Sequence, residues 1–139
     1  MIRGADGGVI SSGYSVLSNV GEAFHAELFA CLHAVRRAPD LGIQKVILAT
    51  DASMVVQAVT FLEIDRSSAH GLIWELKNLL STNFAAFDVI HNHRSCNLVD
   101  HNLVSLGASL SQGTDPVVDS IPFCIRSFVA KDWALVYDQ

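Results

Sequence analysis

Lys45-Val46-Ile47-Leu48-Ala49-Thr50-Asp51-Ala52-Ser53 is the stretch whose reading decides the fold. Its middle is continuously apolar, which predicts a strand covered on both faces, as in a parallel sheet. The run ends on a carboxylate, Asp51. In open α/β sheets, ligands and ions gather at the C-terminal ends of the strands. Asp51 therefore reads as a site residue. It also reads as a cap for the helix predicted from Ser53 to Leu62, in which Val55, Val56, Val59 and Leu62 face inward.

Upstream, Val20 to Ala38 is the clearest helix. Phe24, Leu28, Cys31 and Val35 recur at helical spacing. Ser18 or Asn19 is placed to cap it, and Pro39 with Gly42 to end it. Within it, His25-Ala26-Glu27-Leu28 sets Glu27 beside the apolar stripe, where a carboxylate needs a partner. Two facing carboxylates repel unless a cation lies between them, and oxygen donors suit Mg²⁺. Glu27 and Asp51 thus form part of the donor set expected of a two-metal phosphodiester-cleaving site.

The remaining elements follow by pattern. Ala5-Asp6-Gly7-Gly8 is a tight turn rather than a phosphate-cradling loop, because no Gly-Lys-Ser/Thr follows. Met1 to Arg3 and Val9 to Leu17 read as the hairpin strands around it. His70 to Leu80 reads as a helix and Phe84 to His93 as a strand. Asn97 is placed to cap a last helix bearing Val99, Leu103, Leu106 and Leu110. Ser111 to Ser120 is polar and reads as a linker to an apolar segment, Ile121 to Val136. The order strand, helix, strand, helix, helix, strand, helix indicates an α/β sandwich with a mixed sheet.

Composition narrows the function. The 139 residues suit one folded domain, half of them hydrophobic and 17% charged. A formal net charge of −5 with nine Lys and Arg excludes a global basic field for nucleic acid, but not a local patch. Cys31, Cys96 and Cys124 form no even framework and read as reduced thiols, pointing to cytoplasm or nucleus rather than secretion. No apolar run approaches the ~18 residues of a membrane span.

Four stretches carry a resemblance. Ile2-Arg3 with Asp6-Gly7-Gly8-Val9-Ile10, Glu22 to Ala34 containing His25-Ala26-Glu27, Val46 to Ser53, and Arg94-Ser95-Cys96-Asn97 followed by Leu103 and Gly107 occur in that order. Together they resemble the plant reverse-transcriptase-like ribonuclease H domains, many of them retrotransposon-derived. The resemblance spans roughly residues 2 to 110. It implies a ribonuclease H-like mixed sheet flanked by helices over residues 1–110, with 111–139 a C-terminal linker and extension. The sequence begins inside the family's second-to-third strand hairpin, so the first, central strand is expected to be missing and the Val46–Thr50 strand to have an open edge.

The resemblance further implies hydrolysis of the RNA strand of RNA–DNA hybrids with Mg²⁺. Of the family's four carboxylates, Glu27 and Asp51 carry over as catalytic and metal-site positions. The opening-strand carboxylate has no counterpart, and His101 occupies the place of the last one. His101 is a metal-proximal group or a surface histidine, and its neighbour Asp100 is an alternative ligand turned by about 100° on the helix. Catalysis is expected to be impaired. The alternatives are a non-catalytic interaction domain and a non-functional transposon relic.

Other candidates weigh less. Arg94 and Asn97, with Ser95, suit a nucleic-acid backbone, or else Asn97 caps and Arg94 is solvated. His91-Asn92-His93 lacks the further ligands of a zinc site. Trp74 and Trp133 read as packing residues.

Overall fold

The computed structural model describes residues 1–17, 22–61, 68–93, 95, 98–111 and the backbone of 117–118. Ten elements follow one another: β1 (Ile2–Arg3), β2 (Val9–Ser11), β3 (Gly13–Tyr14), α1 (Ala23–Asp40), β4 (Lys45–Thr50), α2 (Ser53–Thr60), α3 (His70–Asn83), β5 (Ala86–His91), α4 (Leu98–Ala108) and β6 (Val117–Val118). The fold class is α/β, as expected. The strands pair two by two rather than in one mixed sheet: β1 with β2 and β3 with β6 antiparallel, β4 with β5 parallel. Two compact units result, Val20–Asn92 and Met1–Asn19 with His93–Gln139.

In the Val20–Asn92 unit, α1 supplies the apolar stripe that its spacing predicts: Leu28, Cys31, Leu32, Val35 and Ala38 are buried. Opposite them lie Val55 and Val59 of α2 and Ile73, Leu76 and Leu80 of α3. Leu28, Leu32, Val55, Leu76 and Leu80 are wholly buried, each contributing about 1.5–3 kcal/mol of apolar transfer. Pro39 lies inside the last turn of α1, and Gly42, at φ 75°, follows the helix. The Gly42 N–H donates to the Pro39 carbonyl at 2.9 Å, and only a residue at ease in the left-handed region closes the helix this way. At the other end the N-cap is Glu22, with no side-chain cap bond; Ser18 and Asn19 lie outside the described residues.

β4 corrects one expectation. It is not covered on both faces. Val46 and Leu48 are half-buried and Thr50 buried, while Lys45, Ile47 and Ala49 are exposed, Ile47 by 68%. α2 and α3 pack against this two-stranded sheet, and among the described residues nothing covers the other face. Trp74 is the second correction. It stands on the outer side of α3, 62% exposed, because Ile73, Leu76 and Leu80 already fill the inward positions of that helix. Trp133 lies outside the described residues.

In the other unit, the Asp6 turn is as read. The Gly8 N–H donates to Asp6 Oδ1 at 3.0 Å, and β1 pairs with β2 across it. The strand expected from Val9 to Leu17 is broken at Ser12, where the chain changes partner: β2 pairs with β1, β3 with β6. Val117–Val118, read as part of a linker, thus forms a strand. On α4, Val99 and Leu103 are buried, with Met1, Tyr14 and Leu106 packed on them. Gly107 allows close approach here, since a Cβ at that position would stand 2.7 Å from the Ser15 carbonyl oxygen. Asn97, expected to cap α4, lies outside the described residues.

Candidate active site

The site is built on the end of β4. Parallel pairing sets Thr50 level with His91, so both strands end together. The Asn92 N–H donates to the Thr50 carbonyl at 2.8 Å. Thr50 is buried, and its Oγ1 accepts the Ala52 N–H at 3.1 Å. That bond folds the chain sharply between strand and α2. The N-cap of α2 is Ala52, without a side-chain cap bond. The capping role weighed for Asp51 is therefore overturned: the Thr50 hydroxyl holds the turn instead.

Asp51 is exposed. Its carbonyl oxygen lies 3.2 Å from His91 Nε2, and since a carbonyl only accepts, the ring donates when its proton is on Nε2. The Thr50–Ala52 bond and the His91 contact thus bracket the Asp51 backbone at the strand end. In the sequence His91 stands out only as part of His91-Asn92-His93. Its signal was the equal ending of two apolar strands, which brings their last side chains together.

Glu27 stands on α1, half-buried, and α1 packs against α2, the helix that follows Asp51. Beside it, His25 Nε2 is 3.4 Å from Ser68 Oγ, and its ring meets Phe24 edge-on at 6.3 Å. His25 thus ties α1 to the turn before α3. Glu27 and Asp51 belong to one unit. His101 and Asp100 belong to the other, on α4. His101 is exposed. Asp100 is half-buried, its Oδ1 3.3 Å from the Met1 amino group. Ser95 Oγ is 3.1 Å from His93 Nδ1. Arg94 and Asn97 lie outside the described residues.

A family model described as reverse transcriptase-like matches residues 1–107. The chain belongs to this ribonuclease H-like family. No curated protein and no solved structure matches the chain. Ribonuclease H-like domains bind nucleic acids and generally use divalent metal ions. The donors carried by this ribonuclease H-like domain are hard carboxylate oxygens, the right kind for Mg²⁺. They are too few: among the described residues no three His, Cys, Asp or Glu come together as a metal-binding group. The described part of the site does not fit a bound pair of ions. No helix among the described residues is long and apolar enough to cross a membrane.

Proposed function

We propose that this ribonuclease H-like domain is a nucleic-acid-associated module related to enzymes that cut the RNA strand of RNA–DNA hybrids, with cleavage strongly impaired. The observation that carries this reading is the family match over residues 1–107 together with the carboxylate count. Glu27 and Asp51 supply two negative charges, whereas two divalent ions held a few ångströms apart need several carboxylates to offset their repulsion. His101 adds none. A hybrid would be recognised by shape and 2′-hydroxyls, with Arg94 and Asn97 as backbone contacts.

The four matching stretches, from Ile2-Arg3 to Arg94-Ser95-Cys96-Asn97, favour the plant, retrotransposon-derived branch of the family. Residues 1–110 would form the ribonuclease H-like part and 111–139 an extension. The buried Cys31, in no disulfide, favours cytoplasm or nucleus. The net charge of −5 favours a second reading, an interaction domain kept for its fold.

The test is binding and cleavage of a labelled RNA–DNA hybrid with Mg²⁺ or Mn²⁺, with Asp51→Asn as control. The expected result is hybrid binding that weakens with salt, without efficient cutting. Robust Asp51-dependent cutting would overturn the impairment, and absence of hybrid binding would favour the interaction domain. Mg²⁺ is expected to raise the melting temperature only at millimolar concentration. A large shift at micromolar metal would mean that further ligands complete the site. An opening strand bearing Asp, added together with His101→Asp, is expected to recover cutting.

A further inference from the structure

The turn between β1 and β2 encloses a reactive pair of residues. Asp6-Gly7 is the only place in the chain where a glycine follows an Asp or Asn. The Gly7 N–H donates to the Gly4 carbonyl at 3.0 Å, and the Gly4 N–H to the Gly8 carbonyl at 2.8 Å. The first of these bonds closes a four-residue turn with Asp6 at its third position. The Gly8 N–H donates to Asp6 Oδ1 at 3.0 Å, which folds the carboxylate over the peptide that follows it. The carboxylate rests against two glycines: a Cβ on Gly4 would lie 2.7 Å from Asp6 Oδ1, and one on Gly8 3.2 Å. Asp6 is exposed, and Gly7 takes φ 78°.

A main-chain nitrogen can attack the carboxyl carbon of the preceding residue, and glycine puts no Cβ in the way. The Gly7 nitrogen would bond to Asp6 Cγ, while its proton and a carboxyl hydroxyl leave together as one water. The product is a five-membered cyclic imide. Water then adds to one of its two carbonyls. Opening at Cγ restores aspartate. Opening at the Asp6 main-chain carbonyl leaves Gly7 joined through Cγ, an isoaspartate with one more carbon in the main chain. The sum is an isomerisation, with the water lost in the first step regained in the second.

The closed turn opposes the first step. The common hydrogen-bonded turns hold their third residue at ψ about 0°. At that angle the tetrahedral geometry of Cα keeps the side chain off the next nitrogen, so the ring forms only after rotation about the Asp6 Cα–C bond. That rotation breaks the Gly7–Gly4 bond. The product in turn does not refit, because an extra carbon spoils the spacing that pairs Gly4 with Gly8 beside the Arg3–Val9 pair of β1 and β2. We propose that Asp6-Gly7 is a modification site gated by this turn. It stays aspartate while the hairpin is closed, converts to isoaspartate when the hairpin opens, and then keeps the hairpin from closing. Met1, just ahead of β1, packs on Val99 and Leu103, so the loosening reaches α4.

The test is peptide mapping of the full chain aged in warm neutral buffer, with and without urea. Isoaspartate is read as an Asp6 peptide of unchanged mass and altered retention that an isoaspartyl carboxyl methyltransferase labels. Formation is expected to be at least about fivefold faster in urea than in the folded chain. Gly4→Ala leaves the reacting pair intact but drives the Asp6 carboxylate out of the turn, and is expected to raise the rate in the folded chain toward that in urea. Asp88 is the internal control. Its Oδ1 accepts the Val89 N–H at 2.8 Å, yet the branched Val89 side chain shields that nitrogen, and no isoaspartate is expected there. The aged chain is expected to lose hydrogen-exchange protection at the Gly4 and Gly7 amides and in α4, while α1 and α3 keep theirs. Asp6→Ser retains an oxygen for the Gly8 N–H but has no carboxyl carbon to attack, and is expected to age without this loosening. Absence of isoaspartate at Asp6 in urea overturns the proposal, as does an equal rate in the folded chain. So does a Gly4→Ala chain that reacts no faster, or a modified hairpin that stays protected.

Discussion

Of the fourteen buried apolar residues described, twelve lie in the Val20–Asn92 unit, and only Val99 and Leu103 lie in the other. The first unit interlocks three helices, each giving two or more buried residues, and its cohesion comes from dispersion and apolar burial. The second, among the described residues, rests on one helix, four short strand pieces and a close approach at Gly107. Its integrity depends on fit at single points. The candidate site divides along the same line, with Glu27 and Asp51 on the well-packed unit and His101 on the sparse one.

The largest effect is expected in that core. Leu76→Ala, at a wholly buried position, is expected to lower stability by about 2–5 kcal/mol in urea unfolding followed by circular dichroism. Val99→Ala removes only two methyl groups and is expected to cost roughly 2 kcal/mol. Equal losses would show that the sparse unit is packed as demandingly as the other. Gly107→Ala comes next. Its new methyl meets a backbone oxygen that no rotamer change moves aside, so a loss of about 1–3 kcal/mol is expected. Hydrogen exchange should then loosen in α4 and β3 while α1 and α3 stay protected. Uniform loosening would break the contrast between the units.

Smaller effects sharpen the account of the strand end. Thr50→Val keeps the shape but leaves the Ala52 N–H without its acceptor, and about 1 kcal/mol is expected to be lost in thermal melts. Asp51→Ala, at an exposed residue that caps nothing, is expected to change stability by less than about 0.5 kcal/mol. Reversal of that order would return the capping role to Asp51. The smallest effect belongs to the exposed Arg36–Glu75 ion pair between α1 and α3. Glu75→Gln is expected to cost about 0.2–1 kcal/mol, less at high salt, and a salt-independent loss would mean that packing rather than charge is at work.

The sequence by itself determined what repeats along the chain. The stripe Leu28, Cys31, Val35 fixed α1, the apolar run 46–49 fixed β4, and Asp6-Gly7-Gly8 fixed the first turn, because helical period, strand composition and glycine torsions act over a few residues. The order of its motifs also identified the ribonuclease H-like family and singled out Glu27 and Asp51. Only the tertiary structure decided what depends on neighbours distant in the chain. Ile47 and Trp74 look like core in sequence, yet both are exposed, since burial depends on whether another element arrives to cover them. The partner change at Ser12, the pairing of Val117–Val118 with β3, and the His91 contact to Asp51 all join residues far apart in sequence. Pairing with β5 also decides where β4 ends, level with His91, beside the turn that the Thr50 hydroxyl holds.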